Sequence, residues 1–256
     1  MKKILLLSVI FLLVSFANFS CKEKSKVNEK PKTTRSEPSN HQKSQQVFTR
    51  AKNLLSGLDN KKDPYGLKQI FPQTQIIPAT YSANGWNFVP QGDFYILFLL
   101  PESQADYDKG CGKPAVMGTQ KGNIAGREIL LVIFNPKFLE MANSEVFMDY
   151  LATTMLHESM HVFQWFMTQK TKVELPSLER EKQAYLFQLE FLQTVLVKNN
   201  IENVKVPKSS KINSIQDITK AAQAIDAANN YKLGPLATLV LYQHNLKDCL
   251  RFLTPE

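Results

Sequence analysis

Two histidines and a glutamate lie close together in the middle of the chain, in the order His157-Glu158-Ser159-Met160-His161. In an α-helix, residues four positions apart share a face, one turn above the other, so both imidazoles can reach a single metal ion. Glu158 projects to the side of that face, where its carboxylate can meet a metal-bound water instead of the metal. The spacing therefore predicts a metal site with a carboxylate base beside it, on a helix that covers about residues 144–169.

The pattern His-Glu-x-x-His resembles the signature of the zincin metallopeptidases. The resemblance covers roughly residues 144–196. It implies one catalytic Zn²⁺ held by His157 and His161, a peptide or protein substrate, and hydrolysis with Glu158 as the general base. The surrounding segment is amphipathic, as a helix packed on a core should be, with an apolar face formed by Phe147, Leu151, Met155, Val162 and Phe166.

Two histidines do not complete such a site, because a catalytic zinc normally has three protein ligands and a water. The metzincin branch of the family would need Gly at position 164 and His at position 167, and the chain has Gln164 and Met167 there. Gluzincins instead take a glutamate from a following helix. The candidates downstream are Glu174, Glu179 and Glu181.

Helical phase distinguishes the last two candidates. Glu181 shares a mostly apolar face with Ala184, Tyr185, Gln188, Phe191, Leu192 and Val195, whereas Glu179 shares a polar face with Lys182, Gln183, Leu186, Glu190 and Gln193. Because a ligand must point toward the first helix, we expect Glu181 to be the third ligand. The run Glu181–Ala184 also resembles the Glu-x-x-small pattern of gluzincins. Glu174 and Glu179 remain the alternatives.

Peptide hydrolysis also needs a hydrogen-bond donor for the oxyanion of the tetrahedral intermediate. A tyrosine or histidine often supplies it in zincins. The residues of these types that follow the motif, and that we consider as candidates, are Tyr185, Tyr231, Tyr242 and His244.

The order of predicted elements indicates the fold class. Strands come first and helices afterwards, without alternation of the two, which predicts an α+β fold: a small mixed or antiparallel sheet followed by a helical half that carries the active-site helix. We expect a short helix at 47–57, two or three strands between 69 and 101, an irregular glycine-rich loop or wide hairpin at 101–126, a strand at 128–134, and helices at 144–169, 177–200, 214–229 and 235–251.

The N-terminus has the pattern of an export signal. Lys2 and Lys3 precede an apolar run over residues 4–16, which predicts a signal peptide at residues 1–20. Cys21 follows Ser20, as does the modified cysteine of bacterial lipoproteins, and ordinary cleavage after Ala17 is the alternative. Residues 22–46 are polar and contain a single aliphatic side chain, which predicts a disordered tether at 21–46 and a folded domain at 47–256.

The charge distribution argues against nucleic-acid binding, and export sets the redox context of the cysteines. Of the formal net charge of +8, all but +2 lies in residues 1–46, so the domain has no basic excess suited to nucleic acid. We expect the protein in the cell envelope, anchored to a membrane by lipid and facing the periplasm or the surface, or else periplasmic or secreted. There Cys111 and Cys249 could form a disulfide; the alternative is two free thiols.

The competing function is a non-catalytic exported binding or structural lipoprotein that retains a zincin fold.

Overall fold

The computed structural model describes residues 38–63, 65–112, 114–208 and 211–253. The predicted signal peptide, Cys21 and most of the predicted tether lie outside these residues. The strands are β1 (Thr74–Ser82), β2 (Gly85–Asn87), β3 (Ile96–Pro101), β4 (Met117–Ile124) and β5 (Arg127–Phe134). The α-helices are α1 (Asn40–Gly57), α2 (Leu67–Ile70), α3 (Gln104–Gly110), α4 (Pro136–Glu140), α5 (Glu145–Thr171), α6 (Ser177–Leu189), α7 (Leu192–Lys198), α8 (Ile215–Ala228) and α9 (Leu236–Leu253).

The five strands form one mixed sheet in the order β2-β1-β3-β5-β4. Strands β1, β3 and β5 run parallel to one another, whereas β2 and β4 are antiparallel outer strands. The long helices of the second half follow the sheet in the chain. The predicted α+β class, with a small mixed sheet followed by a helical half, is therefore confirmed.

The central strands are buried on both faces of the sheet. Along β3, Ile96 and Phe98 belong to the main core beneath α5, whereas Leu97 and Leu99 belong to a smaller cluster on the opposite face, where α3 packs. This alternation explains why β3 is an unbroken apolar run, as is usual for strands in parallel pairing. The sheet thereby forms a rigid support for α5.

The folded region begins earlier than predicted. Helix α1 starts at Asn40, inside the segment predicted to be a tether, and Ser39 caps it in a reciprocal pair of hydrogen bonds with Gln42. The Lys43 ammonium donates to the carbonyl of Glu140 and to Asn143 Oδ1, so this lysine is buried although the sequence suggests a solvated one. Residues 40–46 thus belong to α1, because polar residues here satisfy one another within the fold.

The glycine-rich segment at 101–126 is not an irregular loop. It contains α3 and β4, and β4 forms a tight hairpin with β5, closed by a two-residue turn in which Ala125 and Gly126 both have positive φ. Two of the glycines are in close contact with other segments: a Cβ at Gly110 would lie 2.4 Å from the Trp86 ring, and one at Gly122 would lie 2.6 Å from the end of the Leu131 side chain. Glycine content here indicates close approach of chain segments.

Helix α5 is the central element of the fold. Ser144 caps its N-terminus by accepting a hydrogen bond from the backbone N–H of Phe147, and the helix ends where Lys172 adopts a left-handed conformation. Both boundaries agree with the predicted helix to within a few residues. Helix α5 contacts α1, α6 and β4, so residues on successive faces of one helix reach different partners.

The predicted helix at 177–200 is divided in two. Hydrogen bonds of i to i+3 type at Glu190 and Phe191 tighten the chain between α6 and α7. The turn places Phe191 edge-on against Phe187 in the main core, and the following residues of α7 pack against α8 and α9 in a separate cluster. None of the described helices combines the length and the apolar character needed to cross a membrane.

Candidate metal centre

The two histidines of the motif lie on one face of α5, as their spacing predicts. Their Nε2 atoms are 3.2 Å apart, and the rings are nearly perpendicular, at 83°. Only 7% of the His157 side chain and 13% of the His161 side chain are exposed. Two buried imidazoles thus present ring nitrogens to the same small volume.

Helix α6 brings the third group to this volume. One carboxylate oxygen of Glu181 lies 3.4 Å from His157 Nε2, and the other lies 3.4 Å from His161 Nε2. Within the described part of the chain, these three residues form a group whose ligand atoms all lie within 4.8 Å of one another. Helical phase places Glu181 on the face of α6 that packs against α5. Ala184, one turn further along α6, is fully buried, and its small side chain lets the two helices approach.

The distances fit a tetrahedral ion of zinc size. Ligand atoms at about 2.0–2.1 Å from a tetrahedral centre lie about 3.3–3.4 Å from one another. The observed separations, 3.2 Å between the two imidazole nitrogens and 3.4 Å from each nitrogen to its nearer carboxylate oxygen, are close to this value. Two imidazoles and a carboxylate are also a common donor set for catalytic zinc.

The charges of the cluster favour a cation. Burial lowers the pKa of His161, but hydrogen bonding and the negative charge of Glu181 outweigh it and raise that pKa to about 9. Burial raises the pKa of Glu181, and hydrogen bonds from both imidazoles outweigh this effect and hold the pKa well below its usual range. In the metal-free protein, the positive charge of an imidazolium therefore compensates the negative charge of the buried carboxylate. A bound metal cation would take over this role.

A cavity of about 170 Å³ opens onto the three groups, and Glu158 lines it with them. Glu158 is half-buried on the neighbouring face of α5. Its negative charge also contributes to the raised pKa of His161, which places it in electrostatic contact with the cluster. A carboxylate in this place can exchange a proton with a molecule bound between it and the cluster.

The outermost strand β4 forms one wall of the cavity, through Met117, Gly118 and Thr119. Two hydrogen bonds hold the segment that leads into β4: Tyr107 Oη and Asn135 Nδ2 both donate to the carbonyl of Ala115. An outermost strand presents one row of backbone N–H and C=O groups away from its sheet, and an extended peptide can pair with such a row.

The four candidate donors separate into two groups. Tyr185 and Tyr242 line the cavity, Tyr185 packs edge-on against the His157 ring at 4.4 Å, and the two tyrosine rings lie 4.7 Å apart. Burial raises the pKa of both phenols, so both remain protonated donors. Tyr231 is 77% exposed and His244 is exposed, and neither lines this cavity.

Among the described residues, neither of the alternative third ligands belongs to the cluster. The Glu174 carboxylate lies 2.6 Å from Arg180 Nη1 on the surface, and that of Glu179 lies 4.0 Å from the Lys182 ammonium. Cys111 and Cys249 are free thiols in the structure. Of the two alternatives, the disulfide is not formed, because Cys111 packs against the cluster on the outer face of the sheet, whereas Cys249, on α9, is buried in the cluster formed with α7 and α8.

Comparisons of the chain with protein-family models, with curated proteins and with solved structures give no significant match in any of the three. The family resemblance therefore depends on the residues of the motif and on the geometry above.

Two features of the site were absent from the sequence-based prediction. The first is the wall formed by β4, because the glycines of residues 101–126 indicate loop more strongly than strand. The second is Gln164, which contacts His161 but in the sequence marks only a departure from the metzincin pattern. Its spacing of three residues from His161 was the available signal, since such residues share a helix face.

Proposed function

We propose that this protein is a zinc-dependent peptidase whose ion is held by His157, His161 and Glu181. The observation that carries the proposal is the convergence of two imidazole nitrogens, 3.2 Å apart, and a carboxylate with one oxygen 3.4 Å from each of them, in a cavity that Glu158 also lines. A structural zinc site is normally closed by four protein ligands, whereas this cluster offers three and opens onto a cavity. That arrangement favours catalysis over a purely structural role.

The chain's own residues supply the remaining steps. When bound, the zinc ion provides a Lewis acid that polarises a carbonyl and makes a nearby water more acidic. Glu158 accepts the proton of the attacking water and returns it to the leaving amine. Tyr185 and Tyr242 are the protonated donors in the cavity and are candidates for stabilising negative charge on the substrate carbonyl oxygen. Tyr231 and His244 are too exposed for this role.

A peptide is the substrate that the cavity wall favours. Strand β4 ends the sheet beside the ligand cluster, and an extended peptide can add to it through backbone hydrogen bonds. Such pairing would place one peptide bond next to Glu158 without requiring a particular side chain. This is a reason to prefer a peptide over a compact small molecule.

The test is hydrolysis of unstructured peptides by the purified protein, with its zinc content measured on the same sample. We expect hydrolysis with zinc bound, loss after chelation and recovery on adding zinc. Zinc binding without hydrolysis of any peptide in a broad mixture would favour the non-catalytic alternative. Absence of zinc binding at micromolar zinc would contradict both.

The proposed location is the cell envelope, through lipidation of Cys21, which lies outside the described residues. We expect Cys21→Ser to shift the protein from the membrane fraction to the soluble fraction of its host, because stable anchoring needs the attached lipid. Lys22→Ser, which changes the adjacent residue but keeps the cysteine, is the matched control. Unchanged membrane partitioning of Cys21→Ser would contradict the lipid anchor.

A further inference from the structure

Gln164 joins the two helices that carry the candidate ligands. Its side chain lies one turn after His161 on α5 and is buried, with 5% of the residue exposed. Gln164 Oε1 lies 3.0 Å from His161 Nδ1, and Gln164 Nε2 donates to the carbonyl of Arg180, at 3.0 Å, and to Gln183 Oε1, at 3.1 Å. Both α6 partners lie within two residues of Glu181.

The partners fix the orientation of the amide. The carbonyl of Arg180 can only accept a hydrogen bond, so the NH₂ group of Gln164 must face it. Gln164 Oε1 therefore faces His161 and requires a donor on Nδ1. In the neutral imidazole that a metal needs, a proton on Nδ1 leaves the lone pair on Nε2, which faces Glu181 and His157.

His157 has no comparable support. Its Nδ1 is buried and makes no hydrogen bond within the described residues, and the ring is held by the edge-on packing of Tyr185. A histidine whose outer nitrogen is held only by packing can rotate or shift its ring more readily than one that is hydrogen-bonded on that nitrogen. The orientation of the ligand cluster thus depends on the His161 side.

We propose that Gln164 is the positioning residue of this centre. It sets the tautomer and the ring orientation of His161, and its two bonds to α6 keep Glu181 at ligand distance from both imidazoles. One amide thereby couples the two ligand-bearing helices. This inference rests on the proposed zinc site but assigns a role to a residue that touches neither the metal nor the substrate.

The test compares zinc affinity in Gln164→Leu and Gln164→Met, which keep the size of the side chain but remove its hydrogen bonds. Loss of an outer-shell partner of a metal ligand typically weakens metal binding about 10–100-fold, and we expect a decrease in that range by chelator competition. Gln193→Leu is the matched control, since Gln193 is an exposed helical glutamine on α7, and its zinc affinity should not change.

The outcomes separate the two proposals. If the wild type binds zinc tightly and both folded Gln164 variants bind it equally well, the role of Gln164 is wrong and the zinc site stands. If the wild type does not bind zinc, both proposals fail. Should neither variant fold, NMR of the zinc-loaded wild type decides: a slowly exchanging His161 Nδ1 proton close to the Gln164 side chain supports the inference, and its absence overturns it.

Discussion

Two buried polar clusters lie on helix α5, and their hydrogen bonds and charges are satisfied in different ways. In the first, the Asp149 carboxylate accepts hydrogen bonds from Arg50 at 2.9 Å, Lys198 at 2.6 Å and Asn199 at 2.9 Å. In the second, two turns along the helix, His157 and His161 present ring nitrogens to each other and to the Glu181 carboxylate on α6. The first cluster is complete without any addition, whereas the second is balanced only by a proton on an imidazole.

This difference distinguishes a structural cluster from a binding one. Asp149 joins α1, α5 and the end of α7, and opposite charges meet it on two sides, so a further cation has no place there. The cluster with Glu181 opens onto a cavity and has distances that suit a zinc ion. Burial of polar groups alone therefore does not indicate function; the balance of donors and acceptors does.

The largest effect is expected for the base. Glu158→Gln should keep the fold and the bound zinc but reduce peptide hydrolysis by about 10²–10⁴-fold, because the amide cannot accept the proton of water. Hydrolysis rates and zinc content are measured on the same samples, with Glu179→Gln as the control. Activity within a few-fold of the wild type would contradict the proposed mechanism.

The next effect concerns the third ligand. Glu181→Ala removes a carboxylate oxygen from the cluster, so zinc affinity should fall by at least about 100-fold, since even outer-shell losses cost about 10–100-fold. Glu179→Ala, two residues earlier on the exposed face of α6, should bind zinc as the wild type does. Equal losses in the two variants, measured by chelator competition, would show that helical phase does not select the ligand.

The cluster around Asp149 should contribute to the stability of the fold and not to zinc affinity. Asp149→Ala should lower the free energy of unfolding by about 2–3 kcal/mol, less than the 3–5 kcal/mol typical of a broken buried pair, because the Lys198 side chain is 48% exposed and can return to water. Denaturant unfolding of the metal-free protein measures this change. Zinc affinity of the folded variant should stay within a few-fold of wild type, and a larger loss would contradict the separation of the two clusters.

A smaller effect is expected from pH. The raised pKa of His161, about 9, means that its contribution to stability of the metal-free protein is full below about pH 6.5 and is lost as pH rises through 9. The lowered pKa of Glu181 gives a contribution that is present above about pH 4 and is lost only in stronger acid. The melting temperature of the metal-free protein should therefore decrease between pH 7 and 10, and the decrease should be smaller in Glu181→Gln. An equal decrease in both would contradict the assignment.

The sequence predicts the parts of the site that depend on local periodicity. His157 and His161 share a face because the helix between Ser144 and residue 169 is strongly marked by its cap and its apolar positions. The preference for Glu181 over Glu179 follows from the same period on the next helix. These predictions depend on interactions within one helix, which the sequence expresses directly.

The remainder depends on tertiary packing. Strand β4 was obscured by Gly118 and Gly122, and its turn uses Ala125 at positive φ where Asn or Gly would be the usual signal. The division of the predicted helix at Glu190 has no Gly or Pro to mark it and follows from packing of Phe191 in the core. Such features are determined by distant residues, which a linear pattern does not contain.

The most direct test of the central claim is the X-ray absorption spectrum of the zinc-loaded protein. We expect one zinc per chain with nitrogen and oxygen neighbours at about 2.0–2.2 Å and the multiple-scattering features of two imidazoles. A spectrum with sulfur neighbours at about 2.3 Å would place the metal at the cysteines, and one with fewer than two imidazoles would place it away from His157 and His161. Either result would contradict the proposed centre.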